Sequence, residues 1–579
     1  MFSSRILMGA ACAALLTGCQ GGGSSEGEVP QERTDAPVET PAQKVEVDPP
    51  IPPSPSDKMS QGEAVAFSQQ AAFGASSSEL DELRQIGPEE WIERQIDTPR
   101  LPYTLRVQGM EESPRARDFQ VFFWERAIHG DDQLRQRMTF ALSQIVVIGV
   151  TDGTLSKSRE SFALYADLLN REALGNYCDL IKKVTYTPSM GQYLTHLGNR
   201  KADPERGYVP DENYAREVMQ LFTIGLDELD SAGRSQGRPS FTEEDVEALA
   251  AVMTGLSWQG TDFNRPKVSE DNRYRPMAAF DEYHEDEPKV FLGRSISFGA
   301  NAEASIDEAL THLLSHPNVA PFISKQLIQK LVSSNPSPDY VRRVAEAFEA
   351  GRYTMASGAT VGTGKRCDMA ATAAAILLDE EARTPGLNPD GGKLRSPILR
   401  LASFLRAYRR DNEVSREGVA PYAWQLQWLS DGLKLGHNAF ASPSVFNFYR
   451  PGYVAPGTAS AEAGLVAPEF QIETAPASVG YINLIADYAY AARTSDTQPD
   501  MLLLNYDRLD SLADDPEKLV AEIERVLIGR RLQEEVRQDI LRAVDLVWYG
   551  GDKPERGLAN RRRIALTMAL TSPDYMVQR

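Results

Sequence analysis

The densest cluster of chemically capable side chains in this chain lies at Asn199-Arg200-Lys201-Ala202-Asp203-Pro204 and Pro210-Asp211-Glu212-Asn213-Tyr214-Ala215-Arg216-Glu217. The first part reads as a loop and the second as the start of a helix. Asp211 and Glu212 suit a helix N-terminus, where free N–H groups and the dipole favour negative charge. Glu212 and Arg216 are four apart and can pair along one face. Asn213, Glu217 and Gln220 share another face, while Tyr214, Val218 and Leu221 form an apolar one, so Asn213 and Glu217 are expected to turn partly inward. As a site, Glu217 would act as a base or metal ligand, Asn213 would orient it, and Arg200, Lys201 and Arg216 would hold an anionic group. A structural network that pins the loop to the helix explains the same residues and is the preferred reading. Glu212 and Glu217 do not face each other, because five residues place them about 140° apart around a helix. The two-carboxylate logic of glycoside hydrolysis would need a partner from elsewhere.

A second candidate is the acidic run around Asp281 and His284, whose oxygens and imidazole could serve a cation. It matches neither HExxH nor a calcium-binding loop, and a solvated acidic loop explains it better. Gly362-Thr363-Gly364-Lys365 resembles a phosphate loop, but Ala359 replaces the required glycine and Arg366 the required hydroxyl. Gly255 to Gly260 is one residue too long for a GxSxG nucleophile elbow. The aromatic run Phe446-Asn447-Phe448-Tyr449-Arg450, with Tyr453, could stack on sugar rings, although aromatics beside proline more often anchor a loop. No cofactor or metal is named by these residues.

The elements that must carry them are helical. Leu134, Met138, Leu142, Ile145 and Val146 fall on one face behind candidate caps at Asp131 and Asp132. Ile323, Leu327, Leu331, Ile328 and Val332 form a second stripe, and Val246, Leu249, Ala250 and Met253 a third. The third opens with the capping-box spacing of Thr242 and Asp245. Residues 370–378 are nearly all apolar and predict a buried helix. Residues 256–300 read as loops with a small hairpin, and 440–480 as a long ordered loop. The predicted class is a mainly α body with two long non-helical insertions.

The chain has 579 residues, 42% hydrophobic and 25% charged, which are globular values. Its formal net charge of −21 would repel a phosphate backbone, so nucleic acid is not expected as a partner. Arg5 precedes an apolar run from Ile6 to Leu16 that is too short for a bilayer, which needs about 20 residues. Such a run is an export signal. Residues 1–18 are therefore the expected leader. Residues 19–58, rich in Gly, Ser, Pro and Glu, are an expected disordered tether, reaching about 35 Å as a flexible coil. The body is 59–579. Of four cysteines, Cys178 and Cys367 lie in the body. Distant cysteines seldom meet disulfide geometry, so two separate buried thiols are expected.

Leu16-Thr17-Gly18-Cys19 resembles the lipobox of bacterial lipoproteins. That resemblance implies cleavage before Cys19, acylation of its thiol by diacylglycerol and palmitate-type chains, and a place in the cell envelope, at the outer membrane or cell surface. The segments LRQRMTFALSQI, MGQYLTHLGNRKADP, PDENYAREVMQLFTIGLDEL, FTEEDVEALAAVMTG, HPNVAPFISKQLIQKLVSSNPSP, KLRSPILRL, SPSVFNFYRPGY and TSPDYMVQR together resemble one exported bacterial family, domain of unknown function 1800. The resemblance runs from about residue 63 to the end. It implies no established activity. It does imply a second exported protein, similar to phosphatases and sulfatases, as a partner. Many members carry histidine where this chain has Phe222, so a histidine-dependent role there does not carry over. The residues support two roles: an accessory protein that binds a partner or an envelope polysaccharide, and a hydrolase, in one version metal-assisted, centred on residues 199–217.

Overall fold

Helix-forming stripes dominate the body, and twenty-four α-helices account for most of the described residues. The computed structural model describes residues 58–579, apart from 111, 158, 265, 298–300, 411–425, 427, 428, 430, 433 and 491–503. The expected leader, Cys19 and, Lys58 excepted, the tether lie outside them. The strands form five two-stranded antiparallel ladders. The fold is mainly α, and no helix among the described residues is long and apolar enough to cross a membrane.

The helix Gln133–Ser143 carries Leu134, Met138 and Leu142 of the first predicted stripe and is buried on nearly every side, while Ile145 and Val146 fall past its C-cap, Gln144. Its N-cap is Asp132, but that side chain does not cap the helix. Its Oδ2 accepts instead from Gln136 Nε2 at 2.8 Å. The helix Glu243–Val252 does open with the reciprocal Thr242–Asp245 capping box, which satisfies two free N–H groups at once. The helix Val319–Leu331 buries Ile323, Leu327, Ile328 and Leu331, and the helix Met369–Leu378 is buried almost throughout.

Residues 256–300 contain the expected hairpin, Lys289–Phe291 against Arg294–Ile296, and a second short pairing of Leu256–Ser257 with Ala278–Ala279. The stretch 440–480 is mostly irregular, with a short helix at Ala459–Glu462 and a 3₁₀ turn at Pro468–Ile472. It ends earlier than the composition suggests, because the helix Ala475–Tyr490 has already begun.

The two body cysteines correct a sequence expectation. Cys178 and Cys367 are joined as a disulfide, with Cα atoms 5.7 Å apart. Tyr177 N donates to Cys367 O at 2.9 Å and Met369 N to Gly175 O at 2.8 Å, so the backbone already brings the two cysteines together. Spacing alone carried no trace of that pairing.

Candidate functional site

The segment that held the most chemistry in sequence becomes a self-satisfied corner. Asp211 N donates to Asn199 Oδ1 at 2.9 Å, and Asn199 Nδ2 donates back to Asp211 O at 3.3 Å. Asp211 Oδ1 accepts from Thr195 Oγ1 at 2.7 Å and from Asn213 N at 3.0 Å, which starts the helix Asn213–Gln220. Asn213 is exposed, and its amide reaches Thr195 Oγ1 at 3.4 Å rather than Glu217. Arg216 pairs with Glu212 at 3.1 Å, as the four-residue spacing predicts, and also with Glu243. Lys201 pairs with Asp286 at 3.3 Å, and Asp203 with Arg206 at 3.7 Å. The expected inward turn thus holds for Glu217 alone. Burial pushes its carboxyl above the ordinary range, against a smaller opposing pull from Arg216. Its Oε2 has no protein hydrogen-bond partner.

Arg200 stands apart from the other cations. Its guanidinium lies 4.7 Å from the Tyr208 ring centroid, 5.5 Å from Phe263 and 5.8 Å from Tyr283, and it borders an open cleft with Arg206 and Lys267. The second-tier pair is structural in placement. Asp281 Oδ1 accepts from Ala302 N at 2.8 Å at the start of the helix Ala302–Leu314, and buried His284 places Nδ1 2.9 Å from Thr254 O. Burial draws that imidazole below its usual pKa. Among the described residues no three His, Cys, Asp or Glu side chains gather as a metal-ligand group.

A different place has the geometry of a binding site. The end of the helix Asn213–Gln220 meets one face of the helix Val319–Leu331 and the aromatic loop, and they enclose a cleft of about 790 Å³. That volume lies within the range of small-molecule pockets. Phe322, Lys325, Gln326 and Gln329 supply one wall, at the i, i+3, i+4, i+7 spacing of a single helical face. Phe446, Asn447 and Tyr449 of the aromatic loop line it as well, and Gln144, Gln220 and Leu221 also border it. Tyr449 Oη donates to Gln144 Oε1 at 2.7 Å, which fixes the ring at the base. Asn447 takes a left-handed φ of 64°, tolerated by asparagine, and its Oδ1 accepts from Ser442 Oγ at 3.1 Å. Gly225, at φ 74°, lets the Phe322 ring approach, since a Cβ there would sit 2.7 Å from it.

Two residues that line this cleft carry buried amide donors that are unanswered. Gln326 and Asn447 are each 7% exposed, and neither Gln326 Nε2 nor Asn447 Nδ2 has a protein hydrogen-bond partner. Phe446 presents its ring outward at 41% exposure. Gln220 belonged to a polar face named from sequence, and the aromatic loop was a sugar-stacking candidate. The wall Phe322–Gln329 was missed. Its signal was present as a polar and aromatic stripe opposite the apolar one on the same helix.

The profile of a family described as Protein of unknown function (DUF1800) matches residues 66–577. The chain belongs to the DUF1800 family. The match covers nearly the whole body, including the walls of the cleft and the Asn199–Glu217 corner, so all of these are parts of the DUF1800 domain. Neither a curated relative nor a solved structure matches this DUF1800 chain.

Proposed function

We propose that this protein is a lipid-anchored binding protein of the bacterial cell envelope, and that its cleft takes a surface polysaccharide. The observation that carries the reading is a cleft lined both by the Phe322, Phe446 and Tyr449 rings and by the amides of Gln326 and Asn447, whose buried Nε2 and Nδ2 have no protein partner. A buried polar group left unpaired costs about 1–3 kcal/mol. With the two amides turned toward the cleft, sugar hydroxyl and ring oxygens would satisfy both donors, while the C–H face of a sugar lies against the Phe446 ring. Acylated Cys19 and the tether would hold the body at a typical reach of about 35 Å from the lipid surface. The Cys178–Cys367 disulfide supports export, because such bonds persist in oxidising compartments. The exported phosphatase- or sulfatase-like partner implied by the resemblance belongs to this proposal as a protein working on the same polymer.

The test is retention of polysaccharide fractions from the native envelope by the purified protein, beside Gln326→Met and Phe446→Ala. Retention weakened about tenfold in either variant supports the reading, which corresponds to about 1.4 kcal/mol. If no fraction is retained by the wild type, the reading fails. Cys19→Ser should move the full chain from the membrane to the soluble fraction.

A second reading, hydrolysis of the bound polymer, is favoured by Glu217. Its raised pKa suits a general acid, and it lies one turn before Gln220 and Leu221 at the cleft edge. Wild type that releases reducing ends, with Glu217→Gln that binds but releases none, would support it. Wild type that releases none would end it.

A further inference from the structure

The walls of the cleft are backed by buried positive charge. Lys330 Nζ lies 4.4 Å from the centroid of Tyr449, a cleft residue. Lys393 Nζ donates to the carbonyl of Gln329, another cleft residue, at 2.7 Å, and pairs with Glu469 Oε1 at 2.8 Å. Both partners of that pair are within 2% of full burial. Arg137 donates through Nη2 to Lys330 O at 2.6 Å, while its Nε and Nη1 have no protein partner. Arg395 donates to the carbonyls of Tyr575 and Leu399, both at 3.1 Å.

Among the described residues, Lys330, Lys393 and Arg137 thus share one carboxylate, Glu469, and Arg395 adds a like charge beside Arg137. Three other buried arginines in this body are matched by acids, Arg400 by Glu473, Arg406 by Glu79 and Arg562 by Asp510, while Arg126 lies over the Tyr103 ring. A cluster that only stabilised the core would be expected to reach neutrality in the same way, since an unpaired buried charge is strongly destabilising. Burial draws Lys330 down to about 7, the response of an ammonium lacking a close counter-ion. At the rim, Lys325 and Arg450 add two more cations, and among the described residues Asp227 is the acid that borders the cleft, its Oδ2 accepting from Ser235 Oγ at 2.7 Å. The field of buried charges crosses low-dielectric protein and is screened little by salt. Lys393, Arg137 and Arg395, with Lys330 partly protonated near pH 7, therefore favour an anion in the cleft on a chain whose formal charge is −21.

We infer that the polymer bound in this cleft is acidic, its sugar units carrying a carboxylate or a sulfate ester that faces the buried cations behind Tyr449 and Gln329. This rests on the polysaccharide reading. It goes beyond that reading by assigning the ligand's charge.

The experiment measures affinity of the purified protein for the retained envelope fraction in three forms: untreated, carboxyl-reduced, and desulfated by solvolysis. Loss of about tenfold or more in one treated form supports the inference and names the anion. Equal affinity for all three overturns it while leaving the polysaccharide reading intact. No binding of any form ends both. Lys330→Met should cut the preference for the untreated form about tenfold. Because that buried change can disturb folding, Lys325→Gln and Arg450→Gln at the rim are measured beside it. Rim variants that keep the full preference in a folded protein, together with an unaffected Lys330→Met, would also overturn the inference.

Discussion

Removing the Cys178–Cys367 disulfide should lower stability by an amount the structure sets. The bond closes a sequence separation of 189 residues. In the chain-entropy treatment a loop of that length restrains the unfolded ensemble by about 5 kcal/mol at 25 °C. Unfolding entropy is about 2.1 cal/mol/K per residue, so a body of roughly 520 residues loses about 5 °C in melting temperature. The native arrangement should survive in Cys367→Ser. Tyr177 N to Cys367 O, Cys367 N to Phe348 O and Met369 N to Gly175 O remain, and Asn176 Nδ2 still reaches Arg366 O at 2.7 Å. The assay is scanning calorimetry of unreduced wild type beside Cys178→Ser, Cys367→Ser and the double variant, with peptide mapping of the thiols. All three variants should melt lower by the same amount, since each removes the same single bond. Wild type that maps with both thiols free, and melts with the variants, would refute the pairing and remove its support for export.

Acid should weaken the fold before its carboxylates titrate. Burial holds His196 at about 4 and His437 at about 3, below the unfolded value near 6.5, so both states are neutral above 6.5 and only the unfolded state takes protons just below it. By pH 5 each should have removed about 2 kcal/mol, read as a falling urea midpoint between pH 7.5 and 5. Glu79→Gln should cost about 3 kcal/mol at neutral pH. Burial alone would raise Glu79, but Arg406 and Arg409 hold it at about 2, and the variant leaves Arg406 buried without its acid. In wild type that contribution is present above about 4.5 and lost as pH falls towards 2. Gly225→Ala should reshape the cleft, because its φ of 74° disfavours a side chain and the new Cβ meets the Phe322 ring; a loss of about 1–2 kcal/mol and weaker polymer retention are expected. Unchanged melting and retention would show that the Phe322 wall is not tightly placed.

The features legible in sequence are those with local causes. The Thr242–Asp245 capping box, the Glu212–Arg216 pair and the hairpin within 256–300 each follow from spacing within a few residues, and each is present. Local signals also misled where tertiary partners outbid them. Asp132 turns to Gln136 instead of capping its helix, and Asn213 faces solvent with Thr195 instead of turning in beside Glu217. The polar residues at 199–217 allowed a site or a network that pins the loop to the helix, and most of those side chains pair with one another or with acids brought from 243 and 286.

What the sequence determined by itself is the family, the mainly helical class, the stripes that bury and the caps that start helices, because periodicity and capping depend on neighbours along the chain. The expected leader and tether are likewise read from sequence alone. Tertiary structure alone decided the disulfide and the cleft. Cys178 and Cys367 meet only once helices near residues 177 and 369 are packed, and the cleft draws walls from residues 144, 220, 322–329 and 445–450. Gln326 and Asn447 look like ordinary surface amides in the chain. They become unanswered buried donors only where two distant segments border the same space.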